Sequence, residues 1–239
     1  MKTALYLDFG ISLTKACAQA KSHGIERVLA WVGHDPARRT AMGEHELFAN
    51  VADNNLTVVG ALCPNDNLAY LSNTRYGRRD AIKHFKQAIL SCAEHRVPLM
   101  ILDAAPANQA FVESLAEIAD YAHDNGIMLC VREAQGADTV GLLTAVPNLY
   151  YCLDAARSLA LGQNPVERVT AAGDRLAIVL LGDVVGQDDA ISERRIPGKV
   201  HDFAPLREAL SAAGYQGDLV ITAQADIDAL SDACRFCAQ

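Results

Sequence analysis

Two short apolar runs in this chain each end in an aspartate. One is Leu149-Tyr-Tyr-Cys-Leu-Asp154, followed by Ala-Ala-Arg157; the other is Leu176-Ala-Ile-Val-Leu-Leu-Gly-Asp183. A buried parallel strand presents a carboxylate in this way at its C-terminal edge. In a ring of parallel strands, that edge is where chemistry sits. A carboxylate there can move protons or help hold a cation, and a nearby arginine can grip carboxylate or phosphate oxygens in pairs. Asp154 is therefore a candidate for acid/base work and Asp183 for ligand contact. A charged stretch over 186–202 adds Arg194, Arg195, Lys199 and His201. These either gather phosphate over the mouth of the ring or form an ordinary solvated loop.

The elements that must position these residues follow one alternation. Short apolar or β-branched runs take turns with amphipathic runs, the pattern of repeated βα units. Strands are expected over 1–8, 27–32, 56–63, 98–103, 127–131, 150–153, 176–181 and 219–222. Helices are expected over 12–22, with Ser12 as N-cap, and over 44–54, 79–95, 108–125, 139–146, 165–172, 204–213 and 225–236. In the 79–95 helix, Ala81, Ile82, Phe85, Ala88, Ile89 and Cys92 share one face. The connections at 33–43, 65–76 and 186–202 are long, and long loops in compact domains tend to be functional. Eight strands with eight helices predict an α/β fold, a single (β/α)8 TIM barrel over 1–239. A Gly-x-Gly-x-x-Gly after the first strand is missing, which removes support for a dinucleotide-binding sheet.

The bulk numbers fit. A chain of 239 residues with 51% hydrophobic residues suits one large core. A net charge of −8 disfavours nucleic acid. No apolar run approaches the roughly 18 residues of a membrane span, and Asp8 comes too early for a secretory signal. The expectation is a cytoplasmic protein. Seven cysteines, mostly in apolar runs, read as free buried thiols. Cys234 and Cys237 form a CxxC at the end of a helical pattern, where a structural or incidental role is the reading. Cys63 ends a strand and reads as a buried thiol, and His34, His45, His84, His95 and His123 read as surface residues.

Several segments carry a family pattern. They are Leu71-Ser72 with Arg79-Asp80-Ala-Ile-Lys-His-Phe-Lys-Gln-Ala-Ile, Asn125-Gly126-Ile-Met-Leu-Cys-Val, and Leu153-Asp154-Ala-Ala-Arg157 with Gly162-Gln-Asn-Pro165. To these add Arg175-Leu-Ala-Ile-Val-Leu-Leu-Gly-Asp183, Pro197-Gly198 with Asp202-Phe203, and Ala213-Gly214-Tyr215-Gln-Gly217-Asp-Leu-Val-Ile. In this order they resemble the xylose isomerase-like TIM barrel superfamily, which holds sugar phosphate isomerases and epimerases and AP endonuclease family 2 enzymes. The resemblance implies a divalent metal (Mn, Mg, Co or Zn) held by Glu, Asp, His and Glu on strands five to eight, with the glutamates moving protons.

Carried over residue by residue, the resemblance puts Arg132 at the strand-five glutamate, with Glu133 one place on. It keeps Asp154, and puts Arg157 at that aspartate's partner histidine. Leu180 stands at the strand-seven histidine and Thr222 at the strand-eight glutamate. Cys63 and Leu29 stand at a further histidine and glutamate. Glu133 and Asp154 remain as metal candidates, and side-chain alternation sets Glu133 and Arg132 on opposite faces. Two carboxylates without imidazole make a weak site, so the expectation is no cofactor, with a weakly held divalent metal (Mn, Mg or Zn) as the alternative. Arg132 and Arg157 either clamp an anionic, sugar-like ligand or pair with Asp154, Glu133 or Asp103 as a structural network. The leading function class is a sugar isomerase or epimerase acting on a small polyhydroxy or keto substrate. Glu133 and Asp154 would be its acid/base pair, and Arg132, Arg157, Asp183, His201 and Lys199 its ligand contacts. The alternative is a non-catalytic relative that binds a metabolite or protein. A DNA-repair endonuclease needs metal ligands this chain has replaced. Barrels of this type often form homodimers, and that expectation is carried too.

Overall fold

The computed structural model describes residues 1–7, 13–32, 44–63, 67–73, 76–185, 193–195 and 200–222. Within them the chain folds as β1 (Lys2–Tyr6), β2 (Arg27–Trp31), β3 (Thr57–Leu62), β4 (Leu99–Asp103), β5 (Met128–Arg132), β6 (Leu149–Asp154), β7 (Leu176–Leu181), a small pair β8 (Asp183–Val185) and β9 (Glu193–Arg195), and β10 (Asp218–Ile221). The strands close a barrel in the order β1-β10-β7-β6-β5-β4-β3-β2. Every pairing around that ring is parallel. The helices are α1 (Leu13–Ser22), α2 (Glu44–Asp53), α3 (Arg78–Glu94), α4 (Gln109–Asp124), α5 (Thr139–Ala145), α6 (Ala155–Ala160), α7 (Pro165–Ala172) and α8 (Ala204–Ala212). The expected barrel is thus the one observed. Ser12, Pro64, the 33–43 loop, the 225–236 helix, and Cys234 and Cys237 lie outside the described residues.

Two differences stand out. The 186–202 stretch was expected to be loop, yet Glu193–Arg195 pairs antiparallel with Asp183–Val185. The 65–76 connection contains a 3-10 turn, Leu68–Ser72, with Leu68 and Leu71 buried. That turn is pinned to the helices: Ser114 Oγ donates to the Leu71 carbonyl (3.0 Å) and Asn108 Nδ2 to the Ser72 carbonyl (3.1 Å).

The strands read as near-continuous apolar runs because both faces are covered. Alternation still sorts them. Ala4, Leu29, Val59, Leu99, Ile101, Cys130, Cys152, Ile178, Leu180 and Val220 fill the inside of the ring. Their neighbours Met100, Leu102, Leu129, Val131, Leu153, Val179, Leu181, Leu219 and Ile221 pack under the helices. Successive side chains on a strand point to opposite faces. Asp103, Arg132, Asp154 and Thr222 are each two positions beyond an inner residue, so all four stand on the inner face at the C-terminal rim.

The opposite end is held by ion pairing and motif. Arg27 donates from Nε (2.6 Å) and Nη2 (2.9 Å) to the Asp218 carboxylate, joining β2 to β10 across β1. The Gly-Tyr-x-Gly run has a physical cause. Gly214 takes a left-handed turn after α8 (φ 67°). Tyr215 then folds back so that its hydroxyl donates to the Asp218 carbonyl (3.0 Å). A Cβ on Gly217 would meet the Tyr215 ring, with Cε2 at 2.8 Å. Five described cysteines, Cys17, Cys63, Cys92, Cys130 and Cys152, are buried. Among the described residues no helix is long and apolar enough to cross a membrane. Gly217→Ala should cost about 1–3 kcal/mol by displacing the packed ring, read as a lower midpoint in urea denaturation. An unchanged midpoint would show that the ring is free to move aside.

Candidate functional site

The rim is organised around Asp154. It ends β6 and is the N-cap of α6, with Oδ1 accepting from the Arg157 amide at 3.1 Å. Aspartate at this position satisfies a backbone N–H that the helix cannot. Asp154 is fully buried.

The neighbouring strand supplies its counter-ion. Arg132 Nη1 donates to Asp154 Oδ2 at 3.4 Å, and its Nε donates to Asp103 Oδ1. Asp103 and Arg132 are register partners on β4 and β5, so the contact follows from the ladder itself. Arg157 then reaches back to the same carboxylate, Nη1 to Asp103 Oδ2 at 3.2 Å. The result is a chain of alternating charge, Asp154–Arg132–Asp103–Arg157. Burial would lower the Arg132 pKa, but the charges of Asp103 and Asp154 outweigh it and raise it further. Arg132 is a permanent cation. The Arg157 Nε is buried and has no hydrogen-bond partner among the described residues.

Glu133, one residue past β5, faces away from this chain of charges. Its Oε1 accepts from Ser158 Oγ (2.9 Å) and its Oε2 from the Asp154 amide (3.4 Å). It is 1% exposed. It completes the cap of α6 from outside the helix, doing what the glutamate of a capping box does. Burial pushes its carboxyl up to about 7. The charge of Asp154 adds to the rise, and hydrogen bonds from its own amide, Ser158 and the Asp154 amide oppose it.

Asp183 forms a second, separate constellation. Its Oδ1 accepts from the Val184 amide (2.9 Å) and faces His201 Nδ1 (2.6 Å). Its Oδ2 accepts from the amides of Val200 (2.6 Å) and His201 (2.9 Å). Burial works to raise the Asp183 pKa, but the bonds from the His201 side chain and from the three amides win and hold it below the carboxylate norm. The carboxylate thus ties down the start of the segment after 199 and orients the His201 ring through Nδ1. Lys199 and the side chains of Arg194 and Arg195 lie outside the described residues. Asp103 ends the apolar run Leu99-Met-Ile-Leu in the same way as Asp154, but its pairing depends on strand register. Ser158 carried no signal.

Among the described residues, the donor set does not fit a divalent cation. The inner rim over β5, β6, β7 and β10 carries Arg132, Asp154, Leu180 and Thr222. Leu180 is buried in the inner layer, and Thr222 Oγ1 donates to the Leu181 carbonyl (3.2 Å). Among the described residues no group of three His, Cys, Asp or Glu is placed to hold a metal ion. A dication about 4 Å from the Arg132 guanidinium would meet a repulsion of about 8 kcal/mol at an effective dielectric of about 20.

Two measurements probe the rim. Arg132→Leu removes the cation that Asp103 and Asp154 share, leaving Asp103 only Arg157, and should cost about 3–5 kcal/mol in urea denaturation. A loss below 1 kcal/mol would mean the pairing is incidental. Glu133 binds its proton more tightly folded than unfolded. Its contribution therefore declines as pH rises from about 4.5 to about 7, a change on the order of 3 kcal/mol. Glu133→Gln keeps an acceptor for Ser158, so its stability relative to wild type should rise over that interval. A constant difference across pH would contradict this.

No curated protein sequence matches this chain. The chain superposes on the crystal structure of a D-tagatose 3-epimerase-like protein with a TM-score of 0.80 at 18% identity, covering 100% of this chain and 96% of that one. An L-ribulose 3-epimerase gives 0.78 at 15%, covering 100% and 94%. D-psicose 3-epimerase with D-tagatose from Clostridium cellulolyticum H10 gives 0.72 at 17%, covering 98% and 92%. At these identities the likeness is one of fold. The family described as xylose isomerase-like TIM barrel matches residues 15–239, and the chain belongs to that family.

Proposed function

We propose that this protein is sugar isomerase/epimerase-like and takes a small polyhydroxy or keto metabolite at the C-terminal mouth of the barrel, with the family's metal ligands largely replaced. The observation that carries this reading is the pair of guanidiniums at the rim, both anchored on one carboxylate, Asp103. Donors fixed in this way bind ligand oxygens with little loss of side-chain freedom. The Arg157 Nε, a buried donor, gains an acceptor if a ligand oxygen reaches it. Family membership and the 3-epimerase neighbours support a ketose-like ligand. Buried thiols fit a reducing cytoplasm.

In this reading Arg132 and Arg157 contact the ligand, and Asp154 is the inner-face carboxylate beside it. His201, with its ring oriented by Asp183, and Lys199 are contacts from the loop. One observation favours the non-catalytic alternative. Asp154 and Glu133, the acid/base candidates, are both engaged in capping α6, and Glu133 faces away from the inner rim.

The test is to incubate the protein with D-tagatose, D-psicose, D-fructose and L-ribulose, then with ketose phosphates and sugar acids. Epimer formation is followed by NMR and binding by calorimetry. The enzyme reading predicts interconversion at C3, and the alternative predicts binding alone. In either case Arg157→Ala should weaken binding about 10- to 100-fold, the loss of one charged hydrogen bond. Failure of every class to bind would contradict a ligand site at this mouth.

A further inference from the structure

The charged rim raises a narrower question than the identity of the ligand. Asp154 is the one carboxylate that the described inner rim offers over β5, β6, β7 and β10. Its Oδ1 is committed to the Arg157 amide at 3.1 Å and its Oδ2 to Arg132 Nη1 at 3.4 Å. Asp103, the carboxylate on β4, is committed to Arg132 and to Arg157. Two carboxylates and two guanidiniums leave this chain of contacts balanced in charge. Glu133, one residue past β5, is turned outward onto Ser158. A dication could reach Asp154 or Asp103 only by displacing a guanidinium that both of them hold.

We infer that the guanidinium of Arg132 does the electrostatic work of a divalent cation at this rim: it neutralises Asp103 and Asp154, excludes metal, and gives the mouth a fixed cation for ligand oxygens. The inference deepens the reading of the mouth as a sugar site and rests on it only for the last clause. Exclusion of metal is a property of the protein without ligand. Guanidinium and dication differ in what they demand. A metal ion takes lone pairs from several carboxylates or imidazoles at once. A guanidinium takes two flat carboxylates side by side and tolerates leucine and threonine at the remaining positions. With the cation covalently part of β5, Leu180 and Thr222 need not be ligands.

The test uses the purified full chain and manganese chloride as the probe. Bound and free Mn2+ are counted by electron paramagnetic resonance, and Tm is read with 1 mM MnCl2 or with chelator. Wild type should bind no stoichiometric Mn2+ and show the same Tm in both. Arg132→Gln removes the guanidinium that Asp103 and Asp154 share while Arg157 stays on Asp103, and Arg132→Glu adds a third carboxylate. At least one of the two should bind about one Mn2+ per chain, with Tm several degrees higher in Mn2+ than in chelator, and a further Asp154→Asn should abolish both effects. Should Arg132→Glu not fold without metal, refolding on Mn2+ addition is the same positive result, and Arg132→Gln supplies the independent reading. Stoichiometric Mn2+ on wild type that Asp154→Asn removes would overturn the inference. So would two folded variants that bind no more Mn2+ than wild type, because the guanidinium would then not be what keeps metal out. None of these readings uses a sugar, so a failed ligand screen and a failed metal test are separable.

Discussion

One guanidinium held between two carboxylates is the constraint on which the rim depends. Closing parallel strands into a ring sends the last inner-facing residue of each strand toward a shared mouth. On β4 and β6 that residue is an aspartate, and on the strand between them it is Arg132. Asp154 is fully buried and Asp103 nearly so, at 15% side-chain exposure. Two such anions on neighbouring strands would repel each other and lose most of their hydration. Arg132 removes both problems at once. Arg157 then closes on Asp103 because the cap of α6 places it three residues beyond Asp154.

The rim also shows how one strand edge serves two purposes. Residues on the inner face meet the mouth, and residues one position on meet the helices. Arg132 and Glu133 are adjacent in sequence but belong to different layers. Arg132 neutralises the mouth, whereas Glu133 holds the Asp154 amide and Ser158 and so fixes where α6 begins. Asp183 likewise serves the fold, gathering the amides of Val200 and His201 onto one carboxylate. A carboxylate at the C-terminal edge of a strand is thus a ligand candidate only if its face is the inner one.

Much of this was legible in the sequence. The barrel was, because eight apolar runs bounded by amphipathic helices leave few other ways to bury the strands. Asp154 and Asp183 were, since a carboxylate that ends an apolar run must lie at an edge. The opposite faces of Arg132 and Glu133 followed from alternation alone. The β8–β9 ribbon was not legible. Glu193-Arg-Arg carries no apolar alternation, and its pairing depends on the path of the loop. The partners of Asp183 were hidden for the same reason, lying 17 and 18 residues away across that loop. Asp103 ends an apolar run like the other two aspartates, and in sequence it is only one of the alternative partners of the arginines. Its importance comes from register with Arg132, which only the closed sheet defines.

The central claim, that Arg132 and Asp103 act as one unit at the mouth, is most directly tested by a double-mutant cycle in urea denaturation. Arg132→Met, Asp103→Asn and the pair together should show a coupling of about 1.5 kcal/mol or more, with the double variant more stable than the single losses would sum to. Losses that simply add would mean that the two side chains do not depend on each other, and the account of the rim would fail.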